Sequence, residues 1–133
     1  MRPLLALLGA YHLALGTVMV LAPRAFFDEV AAYGAFNDHY LRDIATFYLA
    51  LGAVLLVSVV RTSWRVPLLA FTTIQYALHV VNHLWDVADA DPAWLGPANV
   101  VSLALIGVLT AWLLRRGSYS SRQGNHSPRR AGQ

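Results

Sequence analysis

Four long apolar stretches alternate with short polar ones along this chain, and that alternation predicts its elements. Residues 3–22, 39–60, 66–87 and 97–114 are each mostly apolar. Each is close to the ~20 residues an α-helix needs to cross a bilayer core. The first opens with Pro3, tolerated in a first helical turn, and stops before Pro23, which interrupts the hydrogen-bond ladder. A signal peptide also begins with a charge before an apolar run. This run exceeds the usual ~7–15 residues and no small-x-small cleavage pattern follows, so a retained helix is expected.

Between the first two spans, RAFFDEVAAYGAF (residues 24–36) sets aromatic and acidic residues at helical spacing. It predicts a short interfacial helix with Phe26, Phe27, Tyr33 and Phe36 as headgroup anchors. Asn37 or Asp38 would cap the second span. RTSWR (residues 61–65) is a tight turn in which Ser63 is able to cap the third span, with Pro67 early in that helix. ADADPAWLGPAN (residues 88–99) is an acidic loop. The expected fold class is therefore all-α: an integral membrane four-helix bundle over residues 1–116, with an interfacial helix between spans 1 and 2. Residues 117–133 are polar and basic, and a disordered cytoplasmic tail is expected there.

Composition sharpens this picture. Of 133 residues, 57% are hydrophobic and 13% charged, about half the ~25% usual in soluble domains. Mean hydropathy is +0.49. Cysteine is absent, which excludes disulfides, thiolate metal sites and Cys-x-x-Cys redox chemistry. All ten basic residues are arginines. Eight of them (Arg2, Arg61, Arg65, Arg115, Arg116, Arg122, Arg129, Arg130) fall on one side of the predicted spans, and only Arg24 and Arg42 on the other. All seven acids join the second side. The positive-inside rule places both termini in the cytoplasm and the protein in the cytoplasmic membrane. The arginines flank apolar segments without interleaving in a polar domain, which argues against nucleic acid as a partner. Trp64, Trp94 and Trp112 suit an interfacial belt, and the basic tail would attract anionic lipids.

This topology brings two polar motifs to the same outer face: FNDHYLRD (residues 36–43), opening span 2, and HVVNHLWD (residues 79–86), closing span 3. At 100° per residue, His39, Arg42, Asp43 and Thr46 share a stripe that continues as Ala50 and Ala53. On span 3, Thr72, Gln75, His79, Asn82, His83 and Asp86 share another, while Ile74, Ala77, Leu78, Val81, Leu84 and Trp85 form an apolar face suited to lipid. Both polar stripes are expected to face the bundle interior, and ionisable groups there are functional candidates. His79 lies about 10 Å deeper than Asp86.

Three chemistries suit these residues. His39 and Asp43 are at i, i+4, as are His79 and His83, and Asp86 follows His83 at i+3. With His39, His79, His83 and Asp86 as ligands, these spacings suit a divalent transition metal held by helix faces. Haem is a lesser variant, because His79 and His83 project from one side of one helix and cannot both be axial ligands. Alternatively His79, oriented by Asp43, would act as a general acid or base, with Arg42 holding an anionic or quinone oxygen. Isomerase or oxidoreductase chemistry would follow. Third, Asn37, Asn82, Tyr48, Gln75 and Tyr76 would line a binding pocket for a small apolar molecule or lipid, closed from span 1 by Tyr11 and His12. A homo-oligomer or a membrane-complex partner, with the chain as accessory subunit, fits the same reading. His12, alone on its span, otherwise reads as a packed polar residue, and His126 as a solvated one.

The stretch NDHYLRDIATFYLALG (residues 37–52) resembles small four-helix, DoxX-like membrane proteins of the actinobacterial type. The resemblance rests on Asn37, His39, Arg42, Asp43, Tyr48, Ala50, Leu51 and Gly52 and extends over residues 3–115. It implies a four-helix bundle in which this stretch opens the second helix. It carries over no catalytic residues, and the missing cysteines set aside thiol-linked roles.

Overall fold

The computed structural model describes residues 1–125, with side chains described to residue 118. Among the described residues the chain is all-helical: α1 (Arg2–Leu21), α2 (Pro23–Val30), α3 (Asp38–Val60), α4 (Arg65–Trp85) and α5 (Leu95–Asn125), with a single 3-10 turn at Thr62–Trp64. Three helices are long and apolar enough to cross a membrane: α1, α3 and residues 95–118 of α5. The fourth expected span, α4, has 21 residues. Gln75, His79, Asn82 and His83 dilute its apolar content, and it falls outside that group.

Local chemistry explains the boundaries. Asn37 caps α3, its Oδ1 accepting from the Tyr40 N–H at 3.1 Å, as a short polar N-cap should. Ser63 makes no cap at α4. The guanidinium of Arg65 instead donates to the Ser58 and Val59 carbonyls at 2.9 and 2.7 Å, satisfying the C-terminus of α3. Gly34 takes a left-handed φ of 67° between α2 and α3, a conformation that disfavours side chains with a Cβ. The last helix runs past the expected boundary at Arg116 to Asn125. No proline interrupts this stretch before Pro128, so nothing stops the ladder there. The remainder of the expected disordered tail, residues 126–133 with His126, lies outside the described residues.

Packing joins the helices in two antiparallel pairs. In α1 and α3 the backbones nearly touch: a Cβ on Gly52 would lie 2.8 Å from Leu13 N and 2.9 Å from the Gly9 carbonyl oxygen. Gly16 likewise fits against Ala45 and Leu49. This small-residue seam is the packing that lets helices approach without apolar knobs between them. The second pair is α4 with α5, where Gly107 lies against Tyr76 and Gly117 against Val66.

The pairs meet through Leu5 and Leu8 of α1, Leu51 and Leu55 of α3, Leu69 of α4 and Leu113 of α5, all buried. This leucine cluster fills the half of the molecule nearer the Arg61–Arg65 turn. In the other half, Met19, Phe26, Leu41, Ala45 and Tyr48 form a separate core on the α1–α3 side, and Phe26 is buried within it. Of the aromatic residues expected as headgroup anchors, Phe26 is buried in this core and Phe27 and Phe36 pack half-buried against it. A ring needs partners on several sides to be buried, and α2 turns back over the α1–α3 pair to supply them.

Candidate functional site

Where the leucine cluster ends, the two helix pairs separate and leave a cavity of about 400 Å³. That lies within the ~300–1,000 Å³ typical of small-molecule pockets. One wall is apolar, with Leu15 and Met19 of α1 and Leu41 and Ile44 of α3; Phe26, Phe27 and Val30 of α2 close the top. The facing wall is polar, built from His79, Asn82, His83 and Asp86 of α4 with Asn99 and Ser102 of α5. Asn37 and Tyr48 also line the cavity, and Tyr11 reaches it from α1.

A hydrogen-bonded chain runs along this wall through Asn99, Tyr33, His83 and His79. Asn99 Nδ2 donates to the Val30 carbonyl at 2.8 Å and to Tyr33 Oη at 3.2 Å. Tyr33 Oη lies 3.2 Å from His83 Nδ1, and His83 Nε2 lies 3.2 Å from His79 Nε2. At the inner end Gln75 Nε2 stands 3.5 Å from His79 Nδ1, a long contact, and Gln75 itself lies outside the cavity lining, where a ligand-binding role was expected. The loops above are tied together as well: the Asp91 N–H donates to the Ala32 carbonyl at 3.1 Å, and Tyr33 pairs with Ala90 in an isolated bridge.

Beneath the cavity lies a second polar layer. His12 Nδ1 donates to the Leu8 carbonyl at 2.7 Å, so its Nε2 is the acceptor, and the Tyr76 hydroxyl donates to it at 2.8 Å. His12 also stacks on Tyr48, with centroids 5.8 Å apart. Tyr76 therefore serves a buried crossing between α1 and α4 and lies outside the cavity lining, where a ligand-binding role was expected. His12 behaves as the packed polar residue its isolation suggested.

The stripe on α3 departs from expectation. His39, Arg42, Asp43 and Thr46 are all exposed and outside the cavity, as are Ala50 and Ala53. His39 Nε2 pairs with Asp43 at 3.5 Å on its own helix, with their side chains 85% and 66% exposed. Arg42 binds the Asp38 carboxylate one turn back. The reason is the glycine seam: Ala45 and Gly52 must face α1, which rotates the motif outward. His39 therefore cannot join His79, His83 and Asp86, and neither Asp43 nor Arg42 reaches His79.

For metal ligation the donor set falls short. Two imidazole nitrogens 3.2 Å apart suit one tetrahedral ion. Among the described residues, however, no three His, Asp or Glu side chains gather into a ligand group. For haem, imidazoles on different helices would be needed, and neither His12, bonded to Tyr76, nor the exposed His39 lines the cavity opposite His79 and His83.

Sequence reasoning found His79, Asn82, His83, Asp86, Asn37 and Tyr48 and missed Tyr33 and Asn99 as members of the polar wall. Asn99 carried a faint signal as the one amide in an otherwise apolar opening of α5. Tyr33 carried none, because only the fold of the α2–α3 loop brings it to His83. No family model, curated protein or solved structure matches the chain.

Proposed function

We propose that this chain is a four-span membrane protein of the cytoplasmic membrane, both termini inside, whose outer-leaflet cavity binds a small apolar molecule or lipid. Three helices apolar enough to cross a bilayer support the membrane setting. The large residues of the expected lipid face of α4 support a fourth span, for Ile74, Leu78, Val81, Leu84 and Trp85 are all exposed. Polar groups of that helix turn toward the other helices instead, as burial in lipid requires. The DoxX-like resemblance fits the same arrangement.

One observation carries the binding reading: a cavity with an apolar wall opposite a hydrogen-bonded wall, between two helix pairs. An amphiphile places its chain against Leu15, Met19, Leu41 and Ile44 and its polar group against His79, His83 and Tyr33. The exposed His39–Asp43 face is left for a second copy or a membrane-complex partner.

Mass spectrometry of protein released from gently extracted membranes tests this. Wild type should retain a stoichiometric amphiphile, and Leu103→Trp, which projects a larger ring into the cavity from the Leu103 position in its lining, should lose it while keeping its helical content. Equal small-molecule content in the two proteins would dismiss the cavity as a binding site.

A further inference from the structure

The cavity wall also carries information on the charge of its ligand. Resting on the binding reading above, we infer that the site selects an uncharged head group bearing a hydroxyl or carbonyl, and rejects anionic ones.

The cavity offers an anion no permanent cation. Among the described residues no arginine lines the cavity, and the chain has no lysine. The two arginines nearest in sequence are committed elsewhere. Arg24 binds Asp28 at 2.9 Å and lies 5.1 Å from the centroid of Phe36. Arg42 is held by Asp38 outside the cavity. The carboxylate that does line it, Asp86, repels a phosphate or carboxylate head. Anion sites are built from guanidinium forks or open helix N-termini, and among the described residues neither lines the cavity: Asn37 caps α3 with its own side chain, and the first turns of α2 (residues 23–25) and α5 (residues 95–98) are outside the lining.

Protons along the wall can be placed in two ways. With both imidazoles neutral, one of the two facing Nε2 atoms carries hydrogen and the other accepts it. Two arrangements satisfy every contact. In one, Tyr33 donates to His83 Nδ1, His83 Nε2 donates to His79, and His79 Nδ1–H meets the Gln75 side-chain oxygen, its amide turned over. In the other, Gln75 donates to His79 Nδ1, His79 Nε2 donates to His83, and His83 Nδ1 donates to Tyr33. The first leaves Tyr33 Oη with a lone pair for a ligand hydroxyl. The second frees the Tyr33 hydrogen for a ligand carbonyl. The same wall thus accepts from an alcohol or donates to a carbonyl without acquiring charge.

Three probes with a common dodecyl chain separate the alternatives: monododecanoylglycerol, dodecanoate and dodecylammonium. Binding is read by native mass spectrometry of the full chain at about pH 8, where the acid and the amine are both charged. The glycerol ester should bind about tenfold more tightly than dodecanoate, equivalent to ~1.4 kcal/mol. Asp86→Asn should narrow that gap, and His79→Phe should weaken the ester while helical content stays unchanged. Dodecanoate binding as tightly as the ester, or a gap untouched by Asp86→Asn, would overturn the inference and leave the cavity reading standing. A preference for dodecylammonium would make Asp86 the recognition element and overturn it too. Failure of all three probes in wild type would remove the cavity reading itself.

Discussion

Tyr76→Phe isolates one hydrogen bond and keeps everything else. The ring stays, with its edge-on contact to His12 at 5.8 Å between centroids. What goes is the hydroxyl that donates to His12 Nε2 at 2.8 Å. His12 is fully buried and Tyr76 is 1% exposed, so no water replaces the lost donor. An unsatisfied buried acceptor costs ~1–3 kcal/mol, whereas interhelical hydrogen bonds in membranes average ~0.6 and reach ~1.7. The lone pair cannot turn elsewhere, because the Leu8 carbonyl fixes the other ring nitrogen. We therefore expect a loss of ~1–2 kcal/mol, a factor of roughly 5–30 in the folding equilibrium. The assay is reversible unfolding in mixed micelles, followed by circular dichroism, for wild type, Tyr76→Phe, His12→Leu and the double variant. In the His12→Leu background the acceptor is gone, so Tyr76→Phe should cost little. An equal cost of Tyr76→Phe in both backgrounds would show that the hydroxyl acts through something other than His12.

Two further outcomes follow from the helix contacts. Gly52→Leu should separate α1 from α3, because even a Cβ there lies 2.8 Å from backbone nitrogen; a loss beyond the ~1–3 kcal/mol of ordinary overpacking is expected, read as failure to recover monodisperse protein. Asn37→Ala should cost ~1 kcal/mol through its cap, while His39→Ala, an exposed ion pair, should fall within ~0.2–1 kcal/mol and leave ligand retention unchanged.

The contrast between α3 and α4 explains how much was legible in the sequence. On α4 a polar stripe and an apolar stripe occupy opposite faces, so one rotation alone satisfies both, and the wheel placed His79, Asn82, His83 and Asp86 on the cavity wall. On α3 two stripes of small residues compete: Ala50 and Ala53 beneath the His39 motif, and Ala45 and Gly52 on another face. Periodicity cannot choose between them. The choice lies with the partner helix, where Gly9 and Gly16 sit at the spacing that meets Ala45 and Gly52. Polarity was the weaker cue, since His39, Arg42 and Asp43 stand within the first two turns of α3, where charge remains close to solvent. The loops contribute Tyr33, and loop geometry has no period to read.

The leucine cluster has a mechanical meaning. It packs two stiff rods of paired helices together at one end, while the opposite end is held by the polar ties of Asn99 to Val30, Asp91 to Ala32 and Tyr33 to Ala90, so the cavity is the gap of a pair of tongs whose pivot is Leu5, Leu55, Leu69 and Leu113. About 15 Å separates such a pivot from the far tip of a 20-residue helix's outer half. A rotation of roughly 5° then moves the tips by about 1.3 Å, enough to stretch the 3.2 Å contacts of Tyr33 past bonding distance. The grip of the tongs and the integrity of the Asn99–Tyr33–His83 chain are thus one variable. Lateral pressure that squeezes the rods together closes that chain, and whatever wedges them apart breaks it.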